Sequence, residues 1–160
     1  MVVTDRKAIL GRTSFFLGLT DAELTQIAEL SNERTFKPGE ICQTEGQQAD
    51  HVSIILKGRA GAVVRIPNVN YVNSEIIIDS LVQGDVFGWS SLIKTTPWST
   101  LRITEPTDVL YIGTGDLLKL CDANYHIGYI VMKNLASLIA SRLRRNRMSI
   151  LNALVAIKGV

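Results

Sequence analysis

Apolar residues fall into two rhythms along this chain, and the rhythm changes twice. In the first thirty or so residues the spacing is helical. Residues 6–13 read as a short helix, Thr20-Asp21-Ala22-Glu23 sets a hydroxyl cap three residues ahead of a carboxylate, and Leu24, Ile27, Ala28 and Leu30 share one helical face. From Arg34 onward short apolar runs alternate with turn residues. The candidate strands are 35–37, 40–44, 51–57, 60–66, 75–81, 99–104 and 109–113, with corners at Pro38-Gly39, Glu45-Gly46-Gln47, Gly58 and Gly84, and 67–73 as the tip of a hairpin. After Asp116, which can cap a turn at 117–120, the helical rhythm returns; from about 123 to 157 there is no proline, and Gly128 is the one potential breaker.

Many short strands with Gly/Pro corners, flanked by helices, predict an α+β, mainly β chain. The fold class is an antiparallel jelly-roll barrel with short N-terminal helices and a long C-terminal helix. The length fits a single domain, 1–160, divided into N-terminal helices (1–33), a barrel (34–115) and C-terminal helices (116–160). Met132, Leu135, Ile139 and Leu143, continued by Ile150, Leu154 and Ile157, trace an apolar stripe on a helix longer than such a barrel can cover. The expected use of that stripe is a homodimer through the long helix; the other arrangement is a break near Asn146 with the tail folded back on the barrel.

Within this frame residues 84–100 stand out. In Gly84-Asp85-Val86-Phe87-Gly88-Trp89-Ser90-Ser91-Leu92-Ile93 two glycines open a turn and a pair of small hydroxyls stands where a short helix should begin, and a Pro-bounded strand follows at Pro97-Trp98-Ser99-Thr100. Glycine lets the main chain come close to a ligand, and a helix start leaves N–H groups unpaired, so the stretch can cradle an anion. The same local pattern also makes a plain corner between strands.

Composition narrows the classes. A net charge of +2 does not mark a nucleic-acid binder, and the apolar runs are strand-sized, so no membrane span is expected. Cys42 and Cys121 lie far apart without CxxC spacing and no targeting segment is evident, which reads as reduced thiols of a cytoplasmic protein. His51 and His126 are the only histidines and fall on different elements, so no metal site, catalytic set or cofactor is expected. For a haem, His51, Cys121 and His126 are poorly placed, and a cysteine cluster for Fe–S is lacking.

Gly39-Glu40-Ile41, Glu45-Gly46, Ala49-Asp50, Ile54-Ile55-Leu56, Lys57-Gly58 and Gly84-Asp85-Val86-Phe87-Gly88 occur in an order that resembles the successive blocks of the cyclic-nucleotide-binding domain of the Crp/Fnr superfamily. Phe16-Leu17-Gly18-Leu19 resembles its lead-in and the long helix its dimerisation helix. The resemblance implies an eight-stranded jelly roll in which 84–100 is the phosphate-binding cassette, facing the helix that couples ligand to dimer geometry. In members that bind cyclic nucleotides, a glutamate holds the ribose and an arginine the cyclic phosphate; the matching positions here are Trp89 and Trp98. Each charged hydrogen bond is worth about 1.5–3 kcal/mol, so losing two such contacts weakens binding by roughly two to four orders of magnitude. Cyclic AMP is therefore not expected to bind in the usual way. Gly-Trp-Ser-Ser-Leu also resembles a Gly-Trp-Ser-Ala-Leu variant of the cassette found in one branch of the superfamily.

The remaining candidates for a ligand pocket are Gly88, Trp89, Ser90, Ser91, Leu92, Trp98, Ser99, Thr100 and Arg102. Backbone N–H groups of Ser91 and Leu92 would face a ligand, Ser99 matches a position that donates to phosphate, and Arg102, two pleats beyond Trp98, would replace the missing guanidinium. Two indoles either offer flat faces for an apolar or aromatic ligand or plug the pocket. Arg142, Arg144, Arg145 and Arg147 surround the helix and are expected in solvent or against a partner's acids, with phosphate binding as the sharper use. About a dozen residues follow them, too few for a helix-turn-helix, so direct DNA binding is not expected. The expected function is a regulatory small-molecule sensor, with an unknown ligand coupled to the helix of a dimer. The alternatives are a ligand-free dimerisation module with a plugged pocket, or the sensor half of a truncated Crp/Fnr-type regulator.

Overall fold

Two short helices open the chain in the computed structural model, which describes residues 5–65 and 75–158; the 67–73 hairpin tip and the Ile157 side chain lie outside the described residues. Helix α1 (Arg6–Arg12) is capped by Asp5, whose carboxylate accepts from the Ala8 N–H at 3.1 Å. Helix α2 (Asp21–Leu30) begins with a reciprocal capping box: Thr20 Oγ1 accepts from Glu23 N–H at 3.3 Å, and Glu23 Oε2 accepts from Thr20 N–H at 2.8 Å. Between them, a single 3-10 turn at Ser14–Phe16 buries Phe15 and Phe16 edge to face, 5.1 Å between centroids.

Among the described residues six strands follow: β1 (Ser31–Phe36), β2 (Ile41–Gln43), β3 (His51–Arg65), β4 (Glu75–Leu81), β5 (Val86–Phe87) and β6 (Thr100–Gly113). All pairings are antiparallel, in the order β1-β6-β3-β4, with β2 also on β6 and β5 also on β3. This is the jelly-roll arrangement, with one difference from the pattern of short runs. Runs 51–57 and 60–66 belong to one strand, as do 99–104 and 109–113. The register shifts between Ile55 and Ala60, and Thr107 Oγ1 accepts the Arg59 N–H at 3.0 Å across the kink. Gly58 is thus a bulge in a paired strand and not a turn that ends one. The sheet also begins a few residues earlier than position 34 and ends just before α3 (Thr114–Ala123).

Alternation along the strands divides the core in two. Val52, Ile54, Leu110 and Ile112 face the helices and pack with Leu10, Phe15, Phe16, Ile27, Leu117, Ile127, Val131 and Leu135. Ile55 and Val109, their neighbours of opposite parity, pack inside the barrel with Phe36, Leu81, Phe87, Leu101 and Ile103.

Asn124 separates α3 from α4 (Tyr125–Lys158): its backbone is extended, and its Oδ1 accepts from the N–H groups of His126 at 3.0 Å and Ile127 at 3.3 Å. Gly128 interrupts nothing. It lies where a Cβ would stand 3.0 Å from Cys121 O, so it allows α3 and α4 to approach closely. Helix α4 runs 34 residues without a break at Asn146, which at 1.5 Å per residue is about 50 Å. Asn134 Nδ2 fastens it to the 3-10 turn by donating to Phe15 O at 2.9 Å and Leu17 O at 3.0 Å.

One buried carboxylate joins the N-terminal helices to the start of α4. Glu23 is 8% exposed and accepts from His126 Nδ1 at 2.7 Å and from Asn124 Nδ2 at 3.3 Å, besides its capping bond. Burial opposes ionisation of Glu23, but the hydrogen bonds from Thr20 and His126 outweigh it and hold the carboxyl below its ordinary value. A carboxylate with a lowered folded-state pKa contributes stability that is complete above its unfolded-state pKa and is lost as pH falls through the folded-state value. Glu23→Gln is therefore expected to cost about 1–2 kcal/mol at pH 7. It should also flatten the loss of stability below about pH 4, read from urea denaturation at stepped pH.

Candidate ligand site at the cassette

The segment between β5 and β6 is held by its own backbone and by one glutamine. Gly88 adopts φ +74°, and a Cβ there would lie 2.0 Å from His51 O, so no larger residue lets β5 sit this close to β3. A 3-10 helix then runs Trp89–Ile93, and Lys94 ends it in the left-handed region. Gln43 spans the mouth of this turn: its Oε1 accepts from Gly88 N–H at 3.0 Å, and its Nε2 donates to Ser99 O at 3.2 Å. The glycine N–H that an anion would use is already taken.

The other expected pocket residues divide between support and lining. Ser91 Oγ donates to Gly88 O at 2.7 Å and lies 2.6 Å from Thr114 Oγ1, which ties the turn to the start of α3, while the Ser91 N–H bonds Gly88 O. Leu92 is buried in the helix-facing core. Thr100 Oγ1 accepts from Glu45 N–H at 3.0 Å. Arg102 does not enter the pocket: its guanidinium pairs with Glu75 at 3.0 Å, because β6 and β4 flank β3 and bring the two within reach at the sheet surface. Ser90, Trp89, Trp98 and Ser99 do line it.

Helix α4 completes the site. Arg142 and Asn146, 9% and 7% exposed, line a cavity of about 20 Å³ with Ser90, Ser99, Trp89 and Trp98. Arg142 Nη2 donates to Val86 O at 2.6 Å, and Arg145 one turn on pairs with Asp79 at 3.1 Å. Burial pushes the Arg142 guanidinium below its ordinary value, partly offset by the carboxylates of Asp85 and Asp79. Ser90 Oγ, Arg142 Nε and Asn146 Oδ1 are buried without a hydrogen-bond partner among the described residues, and all three residues belong to this cavity. The pocket is thus filled from the helix and not by the two indoles. Trp89 is half-buried and Trp98 is 50% exposed, and both form one wall of an open groove of about 610 Å³ whose other wall is Ile139, Leu143, Ile150 and Leu151 of α4.

The arginine cluster is where the sequence reading fell short. Ile127, Val131 and Leu135 are the buried stripe of α4, and steps of seven and four from Leu135 land on Arg142 and Asn146. Extending that stripe, in place of the Met132–Leu143 line, would have singled both out. For the same reason the expected dimer face needs correction: Leu135 is buried in its own chain's core, Met132 and Ile139 pack against that core, and Leu143 alone of the four is strongly exposed.

His51 pairs with Asp50 and meets Tyr111 edge to face, beside a separate cavity of about 330 Å³, whereas His126 holds Glu23. Burial raises both thiols, Cys42 to about 12. Among the described residues no group of His, Cys, Asp and Glu is arranged to hold a metal, and no helix is long and apolar enough to cross a membrane.

A strand-turn-strand cassette set against a long helix on a jelly-roll barrel defines a ligand-binding regulatory module. The chain belongs to the cyclic nucleotide-binding domain family, whose model matches residues 33–124. It is 30% identical to a cGMP-dependent protein kinase of Eimeria tenella over 71% of its own length. It spans about a tenth of that relative, 10%. Among solved structures, a candidate cyclic nucleotide-binding protein of Geobacter metallireducens GS-15 is 30% identical, with a TM-score of 0.72, over 87% of this chain and 98% of that one. The catabolite activator protein of Thermus thermophilus has the same fold, with 22% identity and a TM-score of 0.68 over 88% of this chain and 62% of that one.

Gln43 bonds both rims of the cassette, so Gln43→Ala leaves the buried Gly88 N–H without its acceptor. The expected cost is about 1–3 kcal/mol, measured by chemical denaturation.

Proposed function

We propose that this chain is a small-molecule sensor module in which a ligand at the cassette is read by helix α4 of a homodimer, and that cyclic nucleotides are not held there by the usual pair of side chains. The observation that carries this reading is that one helix joins pocket to surface. Helix α4 inserts Arg142 and Asn146 into the cassette pocket, and leaves Leu143, Ile150 and Leu151 along the groove, and Leu154 and Val155 beyond it, between 43% and 71% exposed.

An exposed apolar face of this length on one helix is self-complementary when two copies meet across a two-fold axis. Leu143 and Ile150 are one heptad apart, which suits a helix pair. With the pocket closed to about 20 Å³, any ligand larger than a water-sized group has to move α4 or lie partly in the groove. Either way, it favours one helix position over another, which is the condition for a signal. The free thiols accord with a cytoplasmic setting, and the family with binding in place of catalysis.

The closed pocket also supports a second reading, a docking module that takes no ligand. Titration separates the two, since a docking module gives no heat with any small molecule. Cyclic AMP in particular is expected to show no micromolar binding by calorimetry; micromolar affinity would overturn the reading of Trp89 and Trp98. Light scattering should give twice the chain mass. Leu143→Lys with Ile150→Lys should give the monomer mass while circular dichroism stays unchanged, because both side chains are exposed. A wild-type monomer at high concentration would sink the dimer.

A further inference from the structure

Arg142 is buried, carries a charge, and has no carboxylate within ion-pair distance among the described residues. Folding gains little from such a group. A buried guanidinium without a counter-ion is costly, and the single bond to Val86 O leaves its Nε without a partner among the described residues. Ser90 Oγ, a donor or acceptor, and Asn146 Oδ1, an acceptor, are orphaned in the same small cavity. One cation, one hydroxyl and one side-chain amide, which can offer either its oxygen or its Nδ2, converge on a space of about 20 Å³ and describe a socket for a compact polar head. Asp85 and Asp79 act on Arg142 through space, but neither is within ion-pair distance of it: Asp85 Oδ2 accepts from the Val82 N–H at 2.9 Å, and Asp79 is engaged by Arg145 at 3.1 Å.

The socket opens toward the groove, with which it shares Trp89, Trp98, Arg142 and Asn146. Beyond the head, a ligand therefore meets two indoles, whose flat faces suit a planar apolar body.

We infer that the cassette takes an aromatic oxyanion, a carboxylate or phosphate on a flat ring, with its head bound by Arg142, Ser90 and the Asn146 side-chain amide, which turns to donate its Nδ2, and its ring against the two indoles. This rests on the sensor reading above and specifies its ligand. The missing guanidinium of the cassette is thereby supplied from α4, on the helix that forms the dimer.

The test uses the full chain and calorimetric titration with 2-naphthoate, 1-naphthyl phosphate, the neutral 2-naphthamide and inorganic phosphate. At least one naphthyl acid should bind, the amide and inorganic phosphate at least tenfold more weakly; whichever acid binds better identifies the head. Arg142→Met should weaken that acid at least tenfold, and it should raise the melting temperature of the unliganded chain because it removes a buried charge. Should that variant fail to fold, Ser90→Ala and Asn146→Leu, which leave the Val86 contact in place, should each weaken the acid threefold or more. The inference falls if the amide binds as well as the acid, or if neither acid binds at millimolar concentration. It also falls if Arg142→Met, or both of the other variants, keep full affinity. In that last case, acids bind and the sensor reading stands without it; heat from no small molecule at all removes the sensor reading as well.

Discussion

The long antiparallel pairing of β3 with β6 is the constraint on which everything else in this chain depends. The two strands run side by side from His51 opposite Gly113 to Val63 opposite Thr100, and every other strand hangs on one of them. β5 is only two residues long and among the described residues pairs with β3 alone, so that strand sets where the cassette begins. The contact is close enough that Gly88 lies directly beneath a β3 carbonyl. Val86 O, on the same short strand, is then the acceptor that receives Arg142. A single chain of contacts thus leads from the central strand pair through the cassette to the middle of α4, and each link is short and buried.

Much of this was legible in the sequence because it rests on local rules. The capping box at Thr20 and Glu23, the turn residues between 38 and 47 and the uninterrupted helical spacing after Asn124 each have one economical structural answer. Gly58 was misleading for a non-local reason. A glycine between two strand-like runs looks the same whether the chain turns back or kinks, and what decided it was Thr107, 48 positions away in sequence, taking the Arg59 N–H. Arg102 was misplaced for a similar reason: parity along the strand gives a face, but the partner on that face, Glu75, is set by sheet order.

The site was the less legible part, and the arginine cluster shows why. Four arginines within six residues look alike in a linear reading, and the usual place for such a group is solvent. Only the phase of α4, fixed by Val131 and Leu135 against the barrel, separates Arg142 from its neighbours and turns it inward. The two tryptophans were found because they break a pattern. The polar residues that enter the pocket beside them, Arg142 and Asn146, come from an element 40 and more positions further on, where no pattern was broken.

The two indoles of the chain, Trp89 and Trp98, stand in the same groove, within reach of α4. All tryptophan emission of this protein therefore originates at the cassette. The barrel and α1–α2 are dark at that wavelength. An unfolding curve followed by indole fluorescence records when α4 leaves the cassette, whereas one followed by peptide absorption records when the sheet is lost. The chain carries its own optical gauge of the contact between helix and pocket, and the separation of those two curves measures how independently that contact opens.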